Sequence, residues 1–200
     1  MRKKIGLFLS ATPHGGGIFQ YSQSILDATL ALPKDRYELI VACASQQWMP
    51  LIPTNSVRIL RLRYDSFMWQ RFKGRLWLLT GIPLSFWRKY CTFLIPDVRR
   101  IIDENCDLWI FPAQDTWSYL LPVPSLSVIH DLMHLYERRF PEVSSGLMFK
   151  QREKHFENAC RNSIGILVDS MVGKTHVMES YKVDDTLIYI LPYTAPSYIE

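Results

Sequence analysis

The sequence predicts an α/β fold, a Rossmann-like doubly wound parallel sheet with helices on both faces. Three observations predict it. Short apolar runs alternate with stretches of helical period along the chain. Most runs are apolar at consecutive positions, as strands covered on both faces must be. A glycine triplet in "SATPHGGGIFQYSQSIL" (10–26) separates the first run from the first helical pattern, the place where such sheets bind ligands.

The elements follow in order. Residues 4–10 (KIGLFLS) read as the first strand. Over 18–32, Ile18, Tyr21, Ile25, Leu26, Thr29 and Leu30 share one helical face. Residues 37–43 (YELIVAC) and 57–62 (VRILRL) are the next strands. Further runs lie at 108–111, 126–129, 165–168 and 187–191, and helical stretches near 65–79, 84–103, 146–162 and 171–181. No internal repeat, low-complexity segment or interior linker interrupts the rhythm, so residues 1–200 read as a single domain.

Composition narrows the class. The chain is 48% hydrophobic and 21% charged, enough to build a core, and its formal net charge is +4. Cys43, Cys91, Cys106 and Cys160 are scattered without a C-x-x-C. That spacing reads as reduced thiols in a cytoplasmic protein rather than a disulfide framework or a zinc site. Arg2, Lys3 and Lys4 before "IGLFLSA" imitate a signal peptide, but the apolar part is short and "TPHGGG" is a poor cleavage context. The longest apolar stretch, 76–96, is broken by Pro83, Arg88 and Lys89, so no transmembrane helix is expected.

Gly15, Gly16 and Gly17 fall at the carboxyl end of the first strand and the amino end of the first helix. Free backbone N–H groups and the positive end of the helix dipole favour an anion there, and missing side chains let it approach. G-x-G-x-x-G does not fit, because Gln20 stands where the third glycine would be, and the Walker pattern is absent too. A plain flexible turn is the competing reading. In "SVIHDLMHLYERRFPE" (127–142), His130 and Asp131 stand at another strand's carboxyl end, on the same rim. The histidine suits hydrogen bonding or acid–base work near neutral pH, and the aspartate could orient it or hold a hydroxyl. Against this stands a strand end with solvated polar residues. His130 and His134 are four apart, but no third metal ligand is near, and no metal is expected. Ser170, in "GILVDSMVGKTHVMESYKV" (165–183), falls at a helix N-cap on the same rim.

Three segments together resemble the N-terminal half of the retaining GT-B glycosyltransferases of the large mannosyltransferase-like family, family four. They are "GGGIFQYSQSIL", "VIHDLMHLYERRFPE", and "REKHFENACRNSIGILVDSMVGKTHVMESYKV" followed by "IYILPY". Residues 45–105 carry little of the resemblance. It implies transfer of a sugar from a nucleotide-sugar to an acceptor, with retained anomeric configuration and no metal or other cofactor. It implies an acceptor-side domain whose Gly15, Gly16 and Gly17 face the donor diphosphate and whose His130 lies near the transferred sugar. Asp131 and Ser170 are further substrate-binding candidates by their place on the rim. The nucleotide-sugar domain, with its E-x7-E glutamates, would lie beyond this sequence, leaving this chain inactive alone.

Residues 58–100 hold ten basic residues against Asp65 and Asp97, interleaved with aromatics. Arg71, Lys73, Arg75, Trp77, Trp87, Arg88 and Lys89 are therefore candidates for contact with an anionic membrane surface. An amphipathic helix pair with a solvated basic face is the competing reading. No nucleic-acid-binding signature accompanies the charge. With the resemblance, this gives a peripheral protein on the inner face of the membrane, acting on a glycan or lipid-linked acceptor in O-antigen or other surface polysaccharide synthesis. The alternatives are a non-catalytic nucleotide- or sugar-binding module and a membrane-surface scaffold.

Overall fold

The structure is a computed structural model that describes residues 2–12, 16–55, 57–63, 83–137 and 139–193. Gly15, Arg71, Lys73, Arg75 and Trp77, and the helical stretch expected near 65–79, lie outside the described residues.

Seven parallel strands form one sheet in the order β3-β2-β1-β4-β5-β6-β7. They are β1 (Lys3–Leu9), β2 (Tyr37–Cys43), β3 (Arg58–Arg61), β4 (Leu108–Phe111), β5 (Ser125–Ile129), β6 (Gly165–Val168) and β7 (Ile188–Ile190). The helices are α1 (Gly17–Leu30), α2 (Leu84–Leu94), α3 (Pro96–Asp103), α4 (Trp117–Leu120), α5 (Met133–Tyr136), α6 (Pro141–Ser144), α7 (Gly146–Asn162) and α8 (Met171–Tyr181). The chain winds outward from β1 to β3, then returns to place β4 on β1's other side. The reversal lies between β1 and β4, and in such sheets ligands bind beyond the carboxyl ends of the strands there.

Consecutive apolar residues go to opposite faces because side chains alternate along a strand. Leu7, Leu9, Val41, Cys43, Ile110, Val128 and Leu167 meet Tyr21, Ile25 and Leu26 of α1 on one face. Phe8, Ile40, Ala42, Leu60, Trp109 and Phe111 meet Val98 and Ile101 of α3 on the other. Ile129, Ile166, Val168 and Ile188 pack with Phe156 of α7 and Val177 of α8.

Two local expectations change. The helical stretch at 84–103 is two helices: Ile95 is extended (φ −139°, ψ 97°) and Pro96 opens α3, as the restriction on a residue before proline requires. Ile18, expected on the buried face of α1, is 38% exposed, and Ser22 is buried instead, its hydroxyl donating to the Ile18 carbonyl. Among the described residues, no helix is long and apolar enough to cross a membrane.

Candidate functional site

Gly16 has φ 58° and ψ −132°, a combination essentially closed to residues with a Cβ. That answers why glycine stands here: the chain turns at Gly16 from the loop after β1 into α1. Its carbonyl accepts from the N–H groups of Phe19 and Gln20, at 3.1 and 3.3 Å. Among the described residues no side chain caps α1, and its first turn carries no acidic residue, so its first N–H groups and the positive helix end suit an anion. The loop is anchored from below. The buried Trp48 indole donates to the Ala11 carbonyl at 2.8 Å, and the Ser10 hydroxyl meets Asp115 beyond β4 at 2.6 Å.

His130 follows β5 on the same rim. Its Nε2 lies 3.2 Å from the Pro112 carbonyl, and its Nδ1 lies 3.1 Å from the Tyr193 hydroxyl. Tyr21 of α1 sets its ring edge-on to the imidazole at 4.8 Å. Burial holds His130 below the usual histidine range, opposed by the Pro112 carbonyl and the charges of Asp169 and Asp131. The glycine turn, His130 and Ser170 thus occupy the carboxyl-end rim together, after β1, β5 and β6.

Asp131 has structural partners. Its Oδ1 accepts from the Met133 N–H at 3.0 Å and from Arg152 Nη2 at 2.8 Å. Ser170 is the N-cap of α8, its hydroxyl accepting from the Gly173 N–H at 3.0 Å. Between these two residues opens a cleft of about 220 Å³, lined by His130, Asp131, Tyr136, Glu137, Ser170 and His176 among others. One wall is aromatic: the Tyr136 and His176 rings stack at 3.6 Å and 9°. His134 turns away, buried against Phe149 and Phe156 with Nε2 3.3 Å from Glu153. Among the described residues, no three metal-ligating side chains converge.

Sequence reasoning missed Tyr193, Arg152 and Asp169. Tyr193 stands in the segment after the last strand, where no periodicity marks a partner. Arg152 is one of several charges along α7. Asp169, directly before Ser170, could have been found from its place at a strand's carboxyl end.

Of the membrane-contact candidates in α2, Trp87 packs against the protein's own apolar clusters, and Arg88 Nε donates to the Tyr119 carbonyl at 2.9 Å. Lys89 is exposed, beside Phe86 (54% exposed) and Tyr90 (40% exposed). Elsewhere in the basic region, Arg58 pairs with Glu104 and Arg100 with Asp97.

No family model matches the chain, and no curated protein matches it. Solved structures do. S. aureus MnaA, solved with UDP, has TM-score 0.50 and 15% identity, covering 94% of this chain and 43% of that one. UGT73P12 from Glycyrrhiza uralensis, complexed with glycyrrhetinic acid 3-O-monoglucuronide, has TM-score 0.50 and 8% identity, covering 95% of this chain and 48% of that one. A glycosyltransferase from Rickettsia africae ESF-5 has TM-score 0.43 and 12% identity, covering 96% and 43%. The likeness is one of fold, and this chain spans less than half the length of each of these proteins.

Proposed function

We propose that this chain is the N-terminal, acceptor-side domain of a GT-B glycosyltransferase that moves a sugar from a nucleotide-sugar to a glycan acceptor with retained configuration. The observation that carries this reading is the convergence of the Gly16 turn, His130 and Ser170 on one rim of a Rossmann-like sheet. Each element has a physical task. The uncapped N–H groups of α1 receive a donor phosphate oxygen, which the helix dipole favours. His130, neutral near pH 7, offers the transferred sugar its Nε2 proton, shared with the Pro112 carbonyl in a three-centre bond, where charge redistributes. The cleft beside it, with a stacked aromatic wall and Asp131 and Glu137 in its lining, seats an acceptor sugar ring.

A second domain, closing over this rim, would hold the nucleotide and supply the glutamate pair. Exposed Phe86, Lys89 and Tyr90 on α2 support contact with an anionic membrane, and with it a lipid-linked acceptor, as in surface polysaccharide synthesis.

The test is product analysis. The natural polypeptide that carries these residues is incubated with a panel of labelled nucleotide-sugars and lipid-linked acceptors. A glycosylated product with retained anomeric configuration is expected. Binding of donors without transfer to any acceptor would replace this reading with that of a non-catalytic sugar- or nucleotide-binding module.

A further inference from the structure

After β7 the chain turns back across the carboxyl-end rim. Leu191 N–H donates to the Val168 carbonyl at 2.8 Å, and the Leu191 carbonyl accepts from the Tyr21 hydroxyl at 3.0 Å. Two bonds from different elements therefore fix residue 191, two positions before Tyr193. The Tyr193 ring then lies 4.8 Å from Tyr21 and 5.6 Å from His130, centre to centre. It also borders the glycine turn, where a Cβ on Gly17 would stand 3.8 Å from its Cε1.

Hydrogen-bond chemistry settles the His130 tautomer. A carbonyl oxygen only accepts, so the nitrogen facing Pro112, Nε2, carries the proton. In the neutral imidazole Nδ1 is then bare, and the Tyr193 hydroxyl donates to it. The ring is held at both nitrogens, with Tyr21 against its face or edge. Neutral imidazole has one donor and one acceptor, and both are used.

We propose that Tyr193 is a positioning residue for His130: its hydroxyl and the tied 191–193 segment fix the tautomer and angle of the imidazole on the rim. The proposal rests on His130 being the substrate-facing residue of the site. It makes the segment leaving β7 a structural partner of the β5 rim. Displacing residues 191–193 would free Nδ1 and let the ring turn about its remaining bond to Pro112. Asp131 and Asp169 are the charged groups near the imidazole, and both favour its protonated form. The Tyr193 donor opposes them by occupying the lone pair that a proton would take.

The test is nitrogen NMR of the 200-residue chain with ¹⁵N-labelled histidine, above the titration range of His130. In the native chain Nδ1 should give an unprotonated signal and Nε2 a protonated one. In Tyr193→Phe the Nδ1 signal should move towards that of a solvated imidazole. Exchange of the Nε2 proton with water should quicken by about fivefold to tenfold, as expected for loss of one hydrogen bond. Tyr21→Phe, which releases Leu191 but leaves the Tyr193 hydroxyl in place, should shift both readouts the same way and by less. Unchanged His130 signals in a folded Tyr193→Phe chain would overturn the proposal, as would a protonated Nδ1 in the native chain. These readouts require no sugar transfer. Altered signals in a protein that transfers no sugar would uphold the positioning role and overturn the glycosyltransferase reading instead.

Discussion

Arg152 Nη2 donates to Asp131 Oδ1 at 2.8 Å, tying the loop after β5 to α7. The same oxygen accepts from the Met133 N–H and so starts α5. The guanidinium also lies over the Phe156 ring, 5.6 Å from its centre. The pair is partly exposed, 26% and 43% for the two side chains, so its strength lies between that of surface and buried pairs. Arg152→Met should lower stability by about 1 kcal/mol, read as a lower urea midpoint at constant slope. An unchanged midpoint would show that water serves Asp131 as well as Arg152 does.

If the protein transfers sugar as proposed, His130→Ala should reduce kcat by about 10²–10⁴-fold, with a much smaller change in stability. Gly16→Val should weaken donor use as well as the fold. Its backbone, at φ 58° and ψ −132°, suits only glycine, so a cost of about 1–3 kcal/mol is expected. Among the described residues a Cβ there meets nothing within 4 Å, so the loss of stability is a backbone effect. Kinetics with a fixed acceptor and varied nucleotide-sugar separate the two effects. Native turnover in folded His130→Ala would leave the histidine as packing.

Gly6 tests the packing of the sheet without reference to function. A Cβ at this position would clash with the Trp109 indole, and Trp109 is fully buried in the cluster shared with α3. Gly6→Ala should cost at least about 1–3 kcal/mol, the usual range for overpacking a core. Thermal unfolding gives the number. Gly6→Ala with Trp109→Phe should recover part of the loss, since the smaller ring leaves room.

Acid should weaken the fold between about pH 6.5 and pH 4. Burial pushes His155 down to about 4, with the charges of Arg152 and His134 adding to the effect. Burial also lowers His130 and His134. A histidine depressed in the folded state binds its proton more readily when unfolded. The stability it contributes is complete above the unfolded pKa near 6.5 and is lost as pH falls towards the folded value. The His155 contribution is on the order of 1–3 kcal/mol. Urea midpoints at pH 7.5, 6 and 5 should fall in turn, and His155→Gln should flatten that trend.

Vesicle co-sedimentation tests the proposed membrane contact. Binding to anionic vesicles should exceed binding to neutral ones and weaken with salt, because a cation near the surface contributes about 1 kcal/mol and screening acts over about 10 Å at 0.1 M salt. Lys89→Glu should weaken it by several-fold, whereas Trp87→Phe, on the inward side of α2, should change it little. Equal binding to both vesicle types would remove the electrostatic part.

The strands were legible because each is a short apolar run: 37–43, 108–111 and 165–168 coincide with β2, β4 and β6. Helices α7 and α8 coincide with the stretches 146–162 and 171–181 for a similar reason, their length giving periodicity room to show. The four-residue helices α4, α5 and α6 escaped, being barely one turn each. At the site, position on the rim could be read from strand ends, which is why the places of Gly16, His130 and Ser170 were legible. Pairing could not. Asp131 and Arg152 are 21 residues apart, and His130 and Tyr193 are 63 apart, and no local rule connects such positions. The identity of Arg88 as a charge also misled: its long side chain turns to a backbone carbonyl rather than to the surface.

The strand order has a consequence for how the chain comes to be folded. β1 is sandwiched between β2 and β4, and Ile5 pairs with Leu108 across more than a hundred residues. On the ribosome, β1, α1, β2 and β3 emerge first, and they leave one edge of β1 open. Its closure waits for Asp107, which accepts from the Lys4 N–H at 2.8 Å and from Lys3 Nζ at 2.7 Å. Until then Leu7 and Phe8 border an unpaired edge, the kind that invites association between nascent chains. Long-range parallel pairing is also slow to form. β1, which precedes both its neighbours in the chain, is thus completed only when β4 arrives, and the interval is a window in which a chaperone has a defined substrate.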